Sequence, residues 1–296
     1  MATTTRSSPT GSSAWTPRLP PGREVVLKGR GTTFVREVAG PPGAPTLLLL
    51  HGWTASADLN WFPSFEALGR RYRVVAMDHR GHGRGIRSRR RFRLSDCADD
   101  AAALVRALGT GPVVAVGYSM GGPVAQLLWR RHPDLVAGLV LCATTRTFAT
   151  RTEEKLGFLA MGGASFASRL TPGTAREALA RRMMGTGGER TVGAWMQREM
   201  QRSDWTAVLE ACQALVRFDS RGWIGSVDVP TAVVVTMGDG MVAPARQVAL
   251  ARAIPDATVH PVQGDHTVCV TDPGRFLPAL LDACASVSSR GRRRAA

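Results

Sequence analysis

One serine stands in a setting that could make it a nucleophile. Ser119 is the centre of a G-x-S-x-G pentapeptide at 117–121. An apolar stretch at 113–116 precedes it and a helical pattern at 120–132 follows it, so Ser119 is predicted on a tight strand-to-helix turn. Such a turn lifts the hydroxyl above the sheet, beside the positive end of the helix dipole. This spacing therefore favours nucleophilic attack on a carbonyl carbon over an ordinary glycine-bearing turn.

A nucleophilic serine needs a base. The sequence contains six histidines: His51, His79, His82, His132, His260 and His266. His266 lies in a loop at 264–267, after the last predicted strand and before the last predicted helix. The other five fall at a helix end, within a strand or in turns directly after strands. A serine on this kind of turn uses the chain order Ser, acid, His, so His266 is the predicted base.

The acid is then expected between Ser119 and His266, at the end of a strand. Asp239 follows the apolar stretch at 231–235 and meets both conditions. Its carboxylate would select the tautomer of His266 and stabilise the imidazolium. Asp265 is the competing candidate, although the carboxylate of a residue adjacent to the histidine rarely reaches Nδ1. The remaining candidates, before a strand or at a turn or helix start, are Asp228, Asp256 and Asp272.

Acyl transfer also needs donors for the negative charge that develops on the carbonyl oxygen. The loop His51-Gly52-Trp53 directly follows the apolar stretch at 46–50, and loops at the carboxyl ends of parallel strands share one edge of the sheet. The backbone N–H groups of Trp53 and Met120 are therefore the predicted oxyanion hole. His51 could be taken for the base, but we interpret it as a residue that stabilises this loop.

These residues are positioned by a pattern of buried strands that alternate with helices, which indicates an α/β fold with a mainly parallel sheet. The predicted strands are 24–28, 32–38, 46–50, 73–77, 113–116, 136–142, 231–236 and 258–262. The predicted helices are 63–71, 94–108 (with Ser95 as its cap), 120–132, 245–253 and 273–285. The strand pattern is interrupted at 145–222 by amphipathic helical stretches, which predict a helical insertion.

The chain resembles the α/β-hydrolase superfamily, in its esterase, lipase and haloperoxidase-like branch. The resemblance rests on 51–53, on Asp-His-Arg-Gly-His-Gly at 78–83, on Gly-Tyr-Ser-Met-Gly-Gly at 117–122, on Asp239 and on 264–266. It implies a Ser–Asp–His triad, a cap over the site, and no metal or organic cofactor. One departure concerns the acid, because the family usually shows Asp-x-x-Val-Pro whereas Pro244 here comes one residue later.

The expected organisation follows from the same patterns. It comprises a disordered leader at 1–22, a hydrolase core at 23–144 and 223–287, a helical cap at 145–222 and a basic tail at 288–296. Apolar cap residues could line an acyl pocket or form the cap's own small core: Leu156, Phe158, Leu159, Met161, Phe166, Met183, Met184, Trp195, Met196 and Met200.

The leading hypothesis is hydrolysis of a carboxylic ester, with an apolar or lipid-like substrate such as a monoacylglycerol. A thioesterase, a C–C bond hydrolase and a cofactor-free haloperoxidase or perhydrolase remain alternatives. Ser119 disfavours epoxide hydrolase and dehalogenase chemistry, because such members of the resembled superfamily carry an aspartate nucleophile. From another class, the chain could be a hydrolase-like ligand-binding protein that lacks turnover.

The net charge of +15 comes almost entirely from arginine, with clusters at 87–93 and 290–294. We interpret these clusters as solvated surface and a frayed tail, with weak contact to an anionic membrane as the alternative. Nucleic acid is not an expected partner, because Phe92 is the only aromatic residue in the first cluster. Five scattered cysteines and the lack of a signal-peptide pattern predict a cytoplasmic protein without a disulfide framework.

Overall fold

A computed structural model of the protein describes residues 15–148 and 192–295. The strands of the described chain are β1 (Gly22–Leu27), β2 (Gly31–Val38), β3 (Thr46–Leu50), β4 (Arg73–Met77), β5 (Val113–Tyr118), β6 (Val136–Cys142), β7 (Thr231–Thr236) and β8 (Thr258–Val262). They form one sheet in the order β1-β2-β4-β3-β5-β6-β7-β8. The pairs β1–β2 and β2–β4 are antiparallel, and every other pair is parallel.

Helices cover both faces of this sheet. They are α1 (Ala57–Trp61), α2 (Phe65–Gly69), α3 (Leu94–Leu108), α4 (Gly121–Arg131), α5 (Val192–Gln201), α6 (Trp205–Arg217), α7 (Pro244–Ala253), α8 (Val268–Thr271) and α9 (Pro273–Ala295). Residues of α3, α4 and α7 pack into one apolar cluster, and residues of α1, α2 and α9 pack into a second. The central strands are buried on both faces, as continuous apolar runs such as Leu47–Leu50 require. The predicted α/β-hydrolase fold is confirmed.

The parallel strands bring the predicted site loops to one edge. In the register of the sheet, Leu50 at the end of β3 lies beside Gly117 near the end of β5. The chain segments after β3, β5 and β7 therefore start at the same carboxyl edge. This edge carries the loops of Trp53, Ser119 and Asp239.

Two details of the helices differ from prediction. The helix expected at 63–71 is observed as the shorter α2, and α1 before it was not predicted; Pro63 between the two has no N–H to continue a helical ladder. The prediction that Ser95 caps α3 is wrong: the N-cap is Arg93, with no side-chain cap bond, and the helix ends at the left-handed Gly109. The start of α3 coincides with burial of Leu94 and Cys97 in the core, a tertiary contact that a capping pattern does not contain.

The two chain ends also differ from prediction. Of the leader expected to be disordered over 1–22, residues 1–14 lie outside the described residues, whereas Trp15 packs its ring edge-on against Phe62 and Trp195. The final helix does not stop at residue 285 but continues to Ala295, so the basic tail is part of α9. Arg290 contributes to this, because its guanidinium donates to backbone carbonyls of Thr231, Asp256 and Ser286.

Within the predicted cap, residues 149–191 lie outside the described residues, and with them seven of the apolar cap residues named above. The described remainder contains the helices α5 and α6. Asp204 N–H donates to the carbonyl of Gly81 at 2.8 Å, and the indole Nε1 of Trp53 donates to the carbonyl of Val208 at 2.7 Å. The described cap helices are thus hydrogen-bonded to the core. Across the described ranges, no helix is both long enough and apolar enough to span a membrane.

Candidate active site

The turn between β5 and α4 is strained, as the G-x-S-x-G motif predicts. Ser119 has a positive φ of 51°, in the left-handed region that a residue with a side chain rarely adopts. A Cβ on Gly117 would collide with the carbonyl of Gly121, and a Cβ on Gly121 would collide with that of Leu50. The turn is held by the bond from Ser119 N–H to the carbonyl of Cys142 at 2.9 Å. Only glycines at both flanking positions allow this close approach.

The structure brings Ser119, His266 and Asp239 into one hydrogen-bonded chain. His266 Nε2 lies 2.9 Å from Ser119 Oγ, and His266 Nδ1 lies 2.7 Å from Asp239 Oδ2. An ionised carboxylate can only accept, so Nδ1 carries the proton and Nε2 is left to accept from the serine hydroxyl. Ser119 is 8% exposed. The arrangement can deprotonate the serine as it attacks a carbonyl carbon.

Asp239 is kept ionised by its surroundings. Burial raises the pKa of this carboxyl, but hydrogen bonds from His266, Val242 N–H and Thr236 outweigh burial and leave the pKa below its usual value. Oδ1 accepts from the N–H groups of Met241 and Val242, both at 2.8 Å. These bonds form a compact turn before α7, which begins at Pro244. The displaced proline therefore does not hold Asp239 away from the histidine.

Asp265, the competing acid, lies elsewhere. Its Oδ1 accepts from the N–H and the hydroxyl of Thr267, both at 2.7 Å. These bonds lower the pKa of Asp265, which is fully exposed to solvent. Within the described chain no hydrogen bond joins its carboxylate to His266. Asp265 caps its own turn.

The loop after β3 approaches the serine closely. A Cβ on Gly52 would lie 3.4 Å from the Cβ of Ser119, and Gly52 N–H donates to Asn60 Oδ1 at 2.8 Å. The backbone N–H groups of Trp53 and Met120 have no acceptor in the described part of the chain. Donors of an oxyanion hole must be free in this way. Asn60, which holds this loop from α1, was not among the predicted site residues. An asparagine in a short helix directly after the loop is the only signal in the sequence.

His51 lies beneath this loop rather than against Ser119. Its Nε2 accepts from His79 N–H at 2.9 Å, and its Nδ1 lies 2.8 Å from the carbonyl of Gly52. Its ring centroid is 4.3 Å from that of His79 and 5.6 Å from that of His82. Burial lowers the pKa of His51 to about 4 and that of His82 to about 3. Both rings are therefore neutral at pH 7, and the contacts of His51 support its structural interpretation.

A cavity of about 460 Å³ opens onto Ser119 and His266. Its apolar walls include Leu59, Phe148, Met196, Met200, Leu215 and Val270. None of its described lining residues is Asp, Glu, Lys or Arg. Of the described cap residues predicted to line a pocket, Met196 and Met200 do so, whereas Trp195 packs against Phe62 at a centroid distance of 5.1 Å.

Comparison with known proteins shows which family the chain belongs to. Residues 45–176 match the sequence profile of the alpha/beta hydrolase fold. A protein of Agrobacterium fabrum named "Putative carbamate hydrolase RutD" is 30% identical over 260 residues, which cover 80% of this chain and 92% of that relative. The chain belongs to the α/β-hydrolase family. At this level of description it is a hydrolase.

Other similar proteins in this family have different names. Epoxide hydrolase B of Mycobacterium tuberculosis is 29% identical over 223 residues, which cover 74% of this chain but only 54% of that relative. The solved structure of a thermophilic esterase from Thermogutta terrifontis superimposes with a TM-score of 0.71 at 26% identity, over 90% of this chain and 99% of the other. Family membership is therefore compatible with several substrates.

Proposed function

We propose that this α/β hydrolase cleaves carboxylic esters through an acyl-enzyme on Ser119. The observation that carries the proposal is the hydrogen-bonded chain from Asp239 Oδ2 through His266 to Ser119 Oγ, with distances of 2.7 and 2.9 Å. A serine so placed is the nucleophile that acyl transfer needs. Opening of an epoxide would instead need a carboxylate nucleophile at the position that Ser119 occupies.

In the proposed reaction, Ser119 Oγ attacks the ester carbonyl while His266 Nε2 takes the hydroxyl proton. The oxyanion accepts hydrogen bonds from the N–H groups of Trp53 and Met120. The C–O bond to the alcohol breaks, His266 returns the proton to the alcohol, and the acyl group stays on Ser119. A water then repeats the sequence with His266 as base, which releases the carboxylic acid and restores the serine.

The lining of the cavity supports an uncharged, apolar substrate. Met196, Met200 and Leu215 offer apolar surface, and the described walls carry no charged side chain that would pair with an acidic or basic substrate. The relative from Agrobacterium fabrum has the name of a carbamate hydrolase, and a carbamate carbonyl could accept the same attack. We favour the ester, because its alcohol is a better leaving group than the leaving group of a carbamate. The departing alcohol therefore depends less on proton donation from His266.

The test is a Ser119→Ala variant assayed with a fluorophosphonate probe and with p-nitrophenyl esters of increasing chain length. We expect loss of labelling and a fall in kcat of about 10⁶-fold, as for the nucleophile of a serine protease. Wild-type enzyme should prefer longer, uncharged acyl chains over acetyl. The matched control is Ser64→Ala, a buried serine whose hydroxyl has no hydrogen-bond partner among the described residues. Labelling that persisted in Ser119→Ala would remove Ser119 from the mechanism.

A further inference from the structure

A fully buried glutamine lies behind the acid of the triad. Gln247 is on α7, and its side chain is 0% exposed. Its Nε2 lies 2.7 Å from the carbonyl of Val242, 2.8 Å from Thr236 Oγ1 and 3.2 Å from Asp239 Oδ2. Its Oε1 accepts from Thr236 N–H at 3.0 Å. The amide is therefore bonded to the end of β7, to the acid and to the loop that follows it.

The orientation of this amide follows from its partners. Thr236 N–H can only donate, so the atom 3.0 Å from it must be the amide oxygen, and the NH₂ group then faces the two oxygens of Asp239 and Val242. Thr236 Oγ1 donates to Asp239 Oδ2 at 2.8 Å, so it accepts from Gln247. The two NH₂ protons therefore face three acceptors, the carbonyl of Val242, Thr236 Oγ1 and Asp239 Oδ2.

We propose that Gln247 is a positioning residue of the active site, which holds the Asp239 carboxylate in the orientation that His266 requires. This inference rests on the proposed serine mechanism. The oxygen that Gln247 contacts, Asp239 Oδ2, is the same oxygen that accepts from His266 Nδ1 at 2.7 Å. A rotation of the carboxylate would break both contacts together.

The loop that carries Asp239 shows why such a residue is needed. Met237 and Met241 on this loop are 44% and 65% exposed, and Val242 is its one buried apolar side chain, at 4%. The inner side of the loop is held in addition by polar bonds, in which Gln247 joins Thr236 before the acid to Val242 after it. Gln247 thus supplies part of the loop's restraint. Gln247 does not itself line the cavity, although its partner Val242 does, and no described hydrogen bond joins it to Ser119.

Gln247→Met tests the proposal, because methionine nearly preserves the volume and removes every amide hydrogen bond. We expect kcat for a p-nitrophenyl ester to fall about 10- to 100-fold, the cost of a displaced reacting group, while KM changes less than about twofold. The rate of fluorophosphonate labelling should fall in parallel with kcat. Gln247→Glu, which keeps the length of the side chain but not its NH₂ group, should also lower kcat at unchanged KM, and it serves if the methionine variant does not fold.

Gln126→Met is the matched control. Gln126 lies on α4, is also 0% exposed, and bonds to the carbonyl of Thr145 and to Ser220 Oγ without touching the triad. It should lose comparable stability in urea denaturation but keep wild-type kcat. Wild-type kcat in the folded Gln247 variants, or an equal loss of kcat in Gln126→Met, would overturn the proposal. If Ser119→Ala is inactive but Gln247→Met has wild-type kcat, only the role of Gln247 is rejected. If Ser119→Ala is active, the serine mechanism itself is rejected.

Discussion

The two aspartates near His266 have different surroundings, although both are close to it in space or in sequence. Asp239 is 5% exposed and its carboxylate accepts hydrogen bonds from His266, Thr236 and two backbone N–H groups. Asp265 is bonded to Thr267 and exposed. The proposed roles follow from this difference, since only a carboxylate that reaches Nδ1 can select the tautomer that leaves Nε2 free.

Asp239→Asn should therefore lower kcat by about four orders of magnitude, as the corresponding change does in a serine protease, because an amide favours the wrong histidine tautomer. Asp265→Asn is the control and should retain kcat within about threefold, with both proteins folded by circular dichroism. Steady-state kinetics on one ester decides between them. If the ranking were reversed, the acid of the triad would be Asp265.

Two arginines of the first arginine cluster connect helices and loops that are distant in the sequence. Arg87, in the first arginine cluster, donates to the carbonyls of Gly83, Gly85 and Arg202, and so connects the loop after β4 to the end of α5. Arg91 donates to Gln213 on α6 at 2.8 Å. Two residues of this cluster thus connect the described cap helices to the core by hydrogen bonds. Both side chains are exposed, as the interpretation of the cluster as solvated surface expects, and they make these hydrogen bonds in addition.

The contacts of Arg290 on the last helix can be tested by substitution. Arg290→Ala removes the donors to the carbonyls of Thr231, Asp256 and Ser286, so it should lower the free energy of unfolding by about 1–3 kcal/mol. Because these contacts are far from Ser119 in the fold, kcat should not change. Urea denaturation and ester kinetics measure the two quantities.

Arg70→Ala is the control for that experiment. Arg70 pairs with Glu66 one helical turn away, and both side chains are largely exposed. Its loss should cost no more than about 0.5 kcal/mol. Equal stability of Arg290→Ala and the wild type would instead support the frayed tail that the sequence predicts.

On the scale of the whole molecule, three buried histidines couple folding to pH. His51, His79 and His82 are all 0% exposed, and burial lowers the pKa of each below 6.5. The unfolded chain therefore binds protons first as the pH falls. For such a group stability is fully present above the unfolded pKa, and it is lost progressively between about 6.5 and the folded pKa of about 4 for His51.

We therefore expect the free energy of unfolding to fall from pH 7 to pH 4.5, with His51 alone contributing up to about 3 kcal/mol of the loss by pH 4. His82→Leu keeps a neutral side chain at an apolar contact with Phe92 and should flatten this dependence. Ser64→Ala is the control, since it removes a buried polar group that does not titrate in this range, and it should not flatten the curve. An identical slope in His82→Leu and the wild type would contradict the coupling.

The sequence by itself determined the strands, the elbow and the candidate triad. β3, β6 and β7 have the bounds that their apolar runs predict, because burial on both faces demands a continuous apolar segment. The elbow was recognisable because its strain admits only glycine at 117 and 121. Chain order and position at strand ends then selected Asp239 and His266, which the structure brings together with Ser119.

Only the tertiary structure decided how these residues are held. Asn60 under Gly52, Gln247 behind Asp239 and the bond from Trp53 to Val208 join side chains across different elements. The order of Trp15 and the extension of α9 likewise depend on partners elsewhere in the chain. A periodic pattern shows which face of an element is buried, but it does not show which polar atom on another element meets it. That pairing depends on how the elements pack, and packing exists only in the folded chain.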